Sequence, residues 1–479
     1  MSLQRAAEIL RDLHTGEVSG EITRVVGLVA ESHGLRAPVG AQCEIRTRAG
    51  ASLACEVVGF RDDSAVVVPQ GDIRGVGVGD RIFFRGEVPS IVVSDELIGR
   101  TLDSSGQPLE LGALAGEAGS RGAAPRAKVP IHGFHQNPLL RRRIREPLTT
   151  GVKAIDGLFT VGRGQRMGIF SGSGVGKSVL LGMIARSSDA PVTVIALIGE
   201  RGREVREFLE RDLGDEGRRR AVVVVATGDE PALKRVQAAL VATAIAEHFR
   251  DAGREVCLLV DSVTRVAMAQ REIGLSAGEP PATRGYPPST FALLGKLLER
   301  TGPGEKASIT AFYTVLVEAD DLHDPIGDTV RSILDGHLWL SRDLASRGHF
   351  PAIDPLQSIS RVMSDVVAPE HLKSARDMVA LVSRYRGVED LLQMGAYVPG
   401  GDPRVDEAVR AWPQVETFLK QGQSERMAFP QTIGRLAEAL KPPVRRVAGA
   451  AAIGASRGAA STASNGARPV GSAAAGRRS

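Results

Sequence analysis

The chain has 479 residues, 43% hydrophobic and 24% charged, with a formal net charge of +4. That length exceeds one typical domain and predicts two to four, with enough apolar residues for sizeable cores. Residues 448–479 hold four arginines and no acidic residue, which accounts for the whole excess of 60 basic over 56 acidic side chains; the remainder is formally neutral, unlike a nucleic-acid-binding surface. Cys43, Cys55 and Cys257 are odd in number and lack metal-ligand spacing, as expected of free thiols in a reducing compartment. No apolar run approaches the length of a bilayer span, and the N-terminus lacks a signal-peptide pattern. A cytoplasmic protein with at most peripheral membrane contact is expected.

Residues 1–18 contain Ala6, Ala7, Leu10 and Leu13 at helical spacing, which reads either as a short docking helix or as a frayed terminus. Between 19 and 95 the apolar period changes to two. Short β-branched runs such as Ile22 to Ala30 and Ser64 to Val68 predict a small β-barrel. Residues 96–150 read as a linker leading into the core, with a turn at Asp103 to Pro108 and a Gly/Ala/Arg stretch from Gly116 to Ala127. Arg141, Arg142, Arg143 and Arg145 read as part of a solvated connector.

From 151 to 368 strand-like and helix-like runs alternate. The strand candidates are Arg166–Phe170, Val192–Ile198, Ala221–Ala226, Glu255–Val260, Ser308–Val317 and His337–Leu340. They are nearly continuous apolar runs, as in a parallel sheet covered on both faces. Such a sheet binds ligands beyond the carboxyl ends of its strands. Residues 369–447 show helical patterns only, broken near Gly395 to Pro403. Residues 448–479 lack large apolar side chains and read as disordered.

The first strand runs into Ser171-Gly172-Ser173-Gly174-Val175-Gly176-Lys177-Ser178, and a helix-like run follows. Strand, glycine loop, Lys-Ser and helix form the context of a phosphate loop, with Ser171 in place of the usual first glycine. Small residues let successive N–H groups face anionic oxygens, and the helix start adds partial positive charge. Lys177 is expected to reach the β- and γ-phosphates of a nucleotide, and Ser178 to ligate Mg²⁺.

Gly199-Glu200-Arg201-Gly202-Arg203-Glu204 closes a strand read as lying beside this loop. Alone it reads as a solvated helix start; with the loop, Glu200 is the candidate to orient the attacking water. Glu204 is the candidate to hold Mg²⁺ through a water. Asp261 ends the strand Glu255–Val260 and is the candidate to support Mg²⁺. Arg361 is either an arginine finger or a surface salt-bridge partner. Phe350 either stacks on adenine or packs in the core.

Gly172 to Ser178, Gly199-Glu200-Arg201 and Asp261-Ser262-Val263-Thr264-Arg265 together resemble the catalytic subunit of rotary ATP synthases. The chain is more similar still to the flagellum-specific and type III secretion export ATPases. Pro280-Pro281-Ala282-Thr283-Arg284-Gly285-Tyr286-Pro287-Pro288-Ser289, Ser358-Ile359-Ser360-Arg361-Val362-Met363 and Gly395-Ala396-Tyr397-Val398-Pro399-Gly400 carry that closer resemblance. It implies an α/β fold: a RecA-like core, an N-terminal β-barrel and a C-terminal helical domain. It implies that Lys177, Ser178, Glu200, Arg201, Glu204, Asp261 and Arg265 form the site of one subunit. Arg361 would come from the neighbour in a homohexamer, and Phe350 and Phe429 would hold adenine. The implied partners are a central stalk, a negative regulator on the N-terminal helix, export chaperones and an export gate, at the cytoplasmic face of the inner membrane.

A flagellar export ATPase is the leading reading, and a virulence-type (injectisome) ATPase shares its motifs. A rotary synthase subunit would carry an acidic Asp-Glu-Leu-Ser-Glu-Glu-Asp run, which 370–447 lacks. A RecA-like RNA translocase would want a basic, aromatic surface, and aromatics are 4% of the chain; no specific nucleic-acid partner is expected. A ring subunit without turnover is opposed by Glu200.

Overall fold

The computed structural model describes residues 18–86, 88–109, 126–133, 137–317 and 324–441. The N-terminal helix expectation, most of the 116–127 stretch and the tail at 448–479 lie outside the described residues.

Period-two patterning closes the first strands into a barrel. These are β1 (Ser19–Val26), β2 (Val29–His33), β3 (Gln42–Arg46), β4 (Ser52–Arg61), β5 (Ser64–Pro69) and β6 (Arg81–Gly86), in the order β1-β2-β5-β4-β3-β6. Ile22, Ile45, Val57, Val67 and Ile82 point inward and are fully buried. Closure leaves no open sheet edge. The barrel is tied to the rest of the chain by Arg61, which donates to the Ala277 carbonyl at 3.1 Å, and by Gln237, which donates to Glu56 at 3.2 Å.

The core is one nine-stranded sheet. Its strands are β7 (Thr101–Leu102), β8 (Arg166–Ser171), β9 (Val192–Ile198), β10 (Ala221–Ala226), β11 (Val256–Asp261), β12 (Ser308–Leu316), β13 (Gly336–Leu340) and β14 (Ile359–Ser360), with Gly302–Pro303 pairing antiparallel to β12. The order is β14-β13-β8-β12-β11-β9-β10-β7. Strands β7 to β13 run parallel, and β14 runs antiparallel at the edge. Strand β9 shows why the runs are nearly all apolar: Val192, Val194, Ala196 and Ile198 enter one core, while Ile195 and Leu197 enter the other.

Two sequence expectations change here. Part of the stretch read as linker is built into the fold: Thr101–Leu102 extends the sheet beside Val223 and Val224, and Ser90–Val93 pairs with Ala127–Pro130. The arginine run is not simply solvated. Arg141 donates to the carbonyls of Glu299 and Thr301, and Arg142 to those of Gly304 and Lys306, which pins the connector to the core. Arg143 and Arg145 remain exposed.

Helices α1 (Lys153–Leu158), α2 (Lys177–Ser187), α3 (Gly202–Glu207), α4 (Ala232–Asp251) and α5 (Val263–Ala277) belong to the core. Helices α6 (Pro369–Arg386), α7 (Pro403–Leu419) and α8 (Phe429–Ala439) form the C-terminal helical layer. Their apolar faces join the core cluster through Met378, Val382, Val415 and Leu436, and Tyr385 stacks on Trp412 at 3.8 Å between α6 and α7. Gly157 of α1 admits this packing, since a Cβ there would lie 2.7 Å from the Phe418 ring.

Candidate active site

The carboxyl ends of β8, β9, β11, β12 and β13 open into a cleft of about 690 Å³. Residues 172–176 form its floor. Gly174 and Gly176 take φ of +80° and +91°, conformations that a side chain would strain. Gly176 is the N-cap of α2 and no side chain caps that helix, so the N–H groups of its first turn are left for a ligand to satisfy.

Lys177 opens α2. Its Nζ lies 2.6 Å from Asp261 Oδ1 and 3.4 Å from Glu200 Oε1. The sequence placed the Glu200 strand beside the loop strand, and the topology corrects this. Strands β12 and β11 intervene between β8 and β9, so Glu200 meets the loop through its contact with Lys177 at the head of α2 and not through pairing of the two strands.

Burial works against the lysine charge, but the Asp261 and Glu200 carboxylates outweigh it and hold its pKa above the ordinary value. Glu200 moves the other way from the usual carboxylate. Burial pushes it up to about 7; the Lys177 charge opposes this, while the charge of Asp261 and a hydrogen bond to Glu204 favour the protonated form. Glu204 is lowered, chiefly as the acceptor of that hydrogen bond. It also caps α3 by accepting from the Arg201 N–H at 3.4 Å.

Ser178 is half-buried one residue on from Lys177. Its hydroxyl, Asp261, Glu200 and Glu204 supply the hard oxygen donors that suit Mg²⁺. Asp261 Oδ2 has no hydrogen-bond donor among the described residues, which leaves it available to a cation or its water. Among these residues no group of three or more His, Cys, Asp or Glu is arranged to hold a metal by itself.

Arg265 lines the cleft with its Nε buried and unpartnered. Arg201 stands at the rim, its side chain 87% exposed. Phe350 is exposed, and its ring lies 3.6 Å from where a Gly176 Cβ would be, so an open aromatic face flanks the loop. Phe429 packs instead against His371, ring centroids 5.8 Å apart, where His371 bonds the Gly157 carbonyl. Its structural surroundings are thus the helical layer. Ser171 ends β8 fully buried, its hydroxyl without a partner.

Arg361 does not enter this cleft. Its N–H bonds the Asp335 carbonyl, and Asp335 in turn accepts from the Arg166 N–H at the start of β8. From Arg166 to Ser171 the strand advances on the order of 15 Å. The guanidinium leaves the sheet at the amino edge, exposed, while the phosphate loop lies beyond the opposite edge.

Sequence reasoning missed two groups. Thr314 donates to Asp261 Oδ1 at 2.7 Å; its signal was a hydroxyl inside the apolar run of β12. Arg342 follows β13 and lines the cleft with no hydrogen-bond or ion-pair partner among the described residues; nothing in its local pattern marked it.

Three comparisons bear on this geometry. Residues 151–360 match the nucleotide-binding domain of the ATP synthase alpha/beta family, residues 22–86 match its beta-barrel domain, and residues 367–438 match the T3SS EscN ATPase C-terminal domain. The chain is 50% identical over 419 residues to the flagellum-specific ATP synthase of Bacillus subtilis, covering 87% of this chain and 94% of that protein. It is 47% identical over 424 residues to the type 3 secretion system ATPase of Sinorhizobium fredii, covering 88% and 92%. Among solved structures, the assembled ATPase EscN of the enteropathogenic E. coli type III secretion system matches with a TM-score of 0.81 at 44% identity, over 88% of this chain and 100% of that one. EscN in complex with its central stalk EscO matches with a TM-score of 0.79 at 43% identity, over the same shares.

Proposed function

The chain belongs to the ATP synthase alpha/beta family, on the branch of the flagellum-specific ATP synthases and type 3 secretion system ATPases, and on that premise we propose that it is the ATP hydrolase of a bacterial flagellar protein export apparatus, acting as a homohexamer. The observation that carries this reading is the convergence of Lys177, Glu200 and Asp261 in one cleft beside the phosphate loop.

With the cleft empty, Lys177 is paired to two carboxylates. The γ-phosphate of ATP offers it a competing anion, and its transfer removes the charge that opposes protonation of Glu200. A carboxylate near pKa 7 is poised to orient the attacking water and take its proton. Ser178, Asp261 and Glu204 would hold Mg²⁺, which would supply neutralisation of phosphate charge. Arg265 and Arg201 add positive charge on the same side. Arg361 sits at the wrong edge of its own sheet to reach its own phosphates, which supports its delivery to a neighbouring copy as an arginine finger. Phe350 offers its exposed face to adenine; Phe429 is assigned the same task on resemblance alone.

The structure of EscN with EscO supports a central stalk as a partner. A negative regulator, export chaperones, an export gate and peripheral association with the inner membrane complete the proposal. No described helix is long and apolar enough to cross a membrane. No specific nucleic-acid partner is assigned. A needle-type secretion ATPase is the second reading, favoured by the match of residues 367–438.

Glu200→Gln tests the chemistry: it is expected to keep nucleotide binding and to lower kcat by about 10²–10⁴-fold. Undiminished hydrolysis removes the assigned base. Deleting the gene in its own cell separates the two readings, because a flagellar ATPase stops filament subunits from leaving the cell and a needle-type one stops needle proteins.

A further inference from the structure

Thr314 is a fully buried hydroxyl in a strand packed on both faces. A valine would fill nearly the same space without a polar group to desolvate, so what the hydroxyl adds is its bond. The register places it centrally: Thr314 pairs with Ile169 of the loop strand, while the adjacent Tyr313 pairs with Val260, one residue before Asp261. Its Oγ1 donates to Asp261 Oδ1 at 2.7 Å, and the same oxygen is 2.6 Å from Lys177 Nζ. Two donors thus engage Oδ1, and Oδ2 has none among the described residues.

We propose that Thr314 is a positioning residue of the ATP site, holding Oδ1 so that Oδ2 stays presented to the cation that accompanies the nucleotide. The two donors on Oδ1 are not equivalent. Lys177 has the phosphate as a competing partner; Thr314 sits on a central strand and has no other side-chain partner among the described residues. When the lysine leaves, the hydroxyl is the donor that keeps the carboxylate from turning. An ionised oxygen attracts a hydroxyl donor strongly, so loss of that bond alone is expected to be felt. The effect falls on the coupling between cation and nucleotide rather than on the nucleotide by itself, because the bond touches neither the loop N–H groups nor Phe350.

This inference rests on the reading of the cleft as an ATP site, and its experiment separates the two. Binding of a fluorescent, non-hydrolysable ATP analogue to the purified full chain is measured with magnesium chelated and across a magnesium titration. Thr314→Val is expected to match wild type without magnesium, within about twofold, and to need about tenfold more magnesium for the same gain in affinity. Thr314→Ser, which restores the donor, is expected to return the midpoint to near wild type. A wild-type midpoint in Thr314→Val overturns the proposal. So does an equal loss of binding with and without magnesium, which marks a purely structural role. Should Thr314→Val fail to fold by circular dichroism, Thr314→Ala carries the same comparison. Failure of the wild-type chain to bind the analogue overturns the underlying assignment of the cleft as well.

Discussion

Gly199 and Arg265 occupy adjoining space so tightly that a Cβ on Gly199 would lie 2.9 Å from both Cβ and Cγ of the arginine. Gly199 also takes φ of +73°, where any L side chain is strained. The glycine follows β9 and directly precedes Glu200, so the closeness bears on both the carboxylate and the guanidinium. Gly199→Ala is therefore expected to displace them together. We expect a loss in kcat of more than about tenfold and a stability cost of roughly 1–3 kcal/mol. Steady-state ATPase kinetics and thermal melts of the purified variant check both.

The separation of Arg361 from its own cleft makes a sharper prediction. Arg361→Ala alone is expected to bind ATP nearly as wild type does but to lose turnover by about 10³–10⁵-fold. Lys177→Ala alone is expected to be inactive through the phosphate loop. Mixed rings reunite an intact Lys177 on one copy with an intact Arg361 on the next. Two inactive proteins mixed before assembly should then hydrolyse ATP at a fraction of the wild-type rate. Absence of any recovery, in rings shown by mass to be mixed, would place Arg361 outside the site.

Arg342 lines the cleft, is exposed, and has no charge partner among the described residues. An exposed guanidinium contributes little to folding. Its field falls on the place where a polyanion binds, so its removal should weaken capture of ATP more than chemistry. Arg342→Ala is expected to raise KM about three- to tenfold, to leave kcat within twofold, and to leave Tm unchanged. A fall in kcat with KM constant would mean that Arg342 acts on the transition state instead.

What could be read from the sequence followed the strength of its local signals. Strands β9 and β10 were legible to the residue because their runs are almost wholly apolar, with Thr193 the one polar residue between them. The phosphate loop, Glu200 and Asp261 were legible because each ends such a run. Strand order was not. Nothing in the run Val192–Ile198 says that two other strands separate it from β8, since β12 arrives from more than a hundred residues further along the chain. For the same reason Thr314 was missed: a threonine in a strand is unremarkable until topology sets it against a carboxylate. Phe429 was named by resemblance alone, and no local signal could have told that its ring meets His371 in the helical layer. The arginine run was misread because carbonyls from Glu299 to Lys306 are invisible to a charge count.

Glu56 supplies a pH prediction well away from the cleft. It lies on barrel strand β4, buried, and accepts from Gln42 at 3.3 Å and from Gln237 of α4 at 3.2 Å. Burial pushes its pKa from 4.5 up to about 7, and the two amide donors only partly offset this. In the unfolded chain the group titrates near its ordinary value. Between the two pKa values the folded state binds the proton and the unfolded state does not, so stability falls as pH rises through that window and levels off above it. The upper bound on this loss is on the order of 3 kcal/mol. Glu56→Gln keeps the shape and cannot ionise, so it should lose this slope, and above pH 7 it should melt higher than wild type. Denaturant midpoints at pH 5.5 and pH 8 are enough to decide it. Equal pH slopes in the two proteins would mean that Glu56 stays charged at the junction between barrel and core, held by more than its two amide partners.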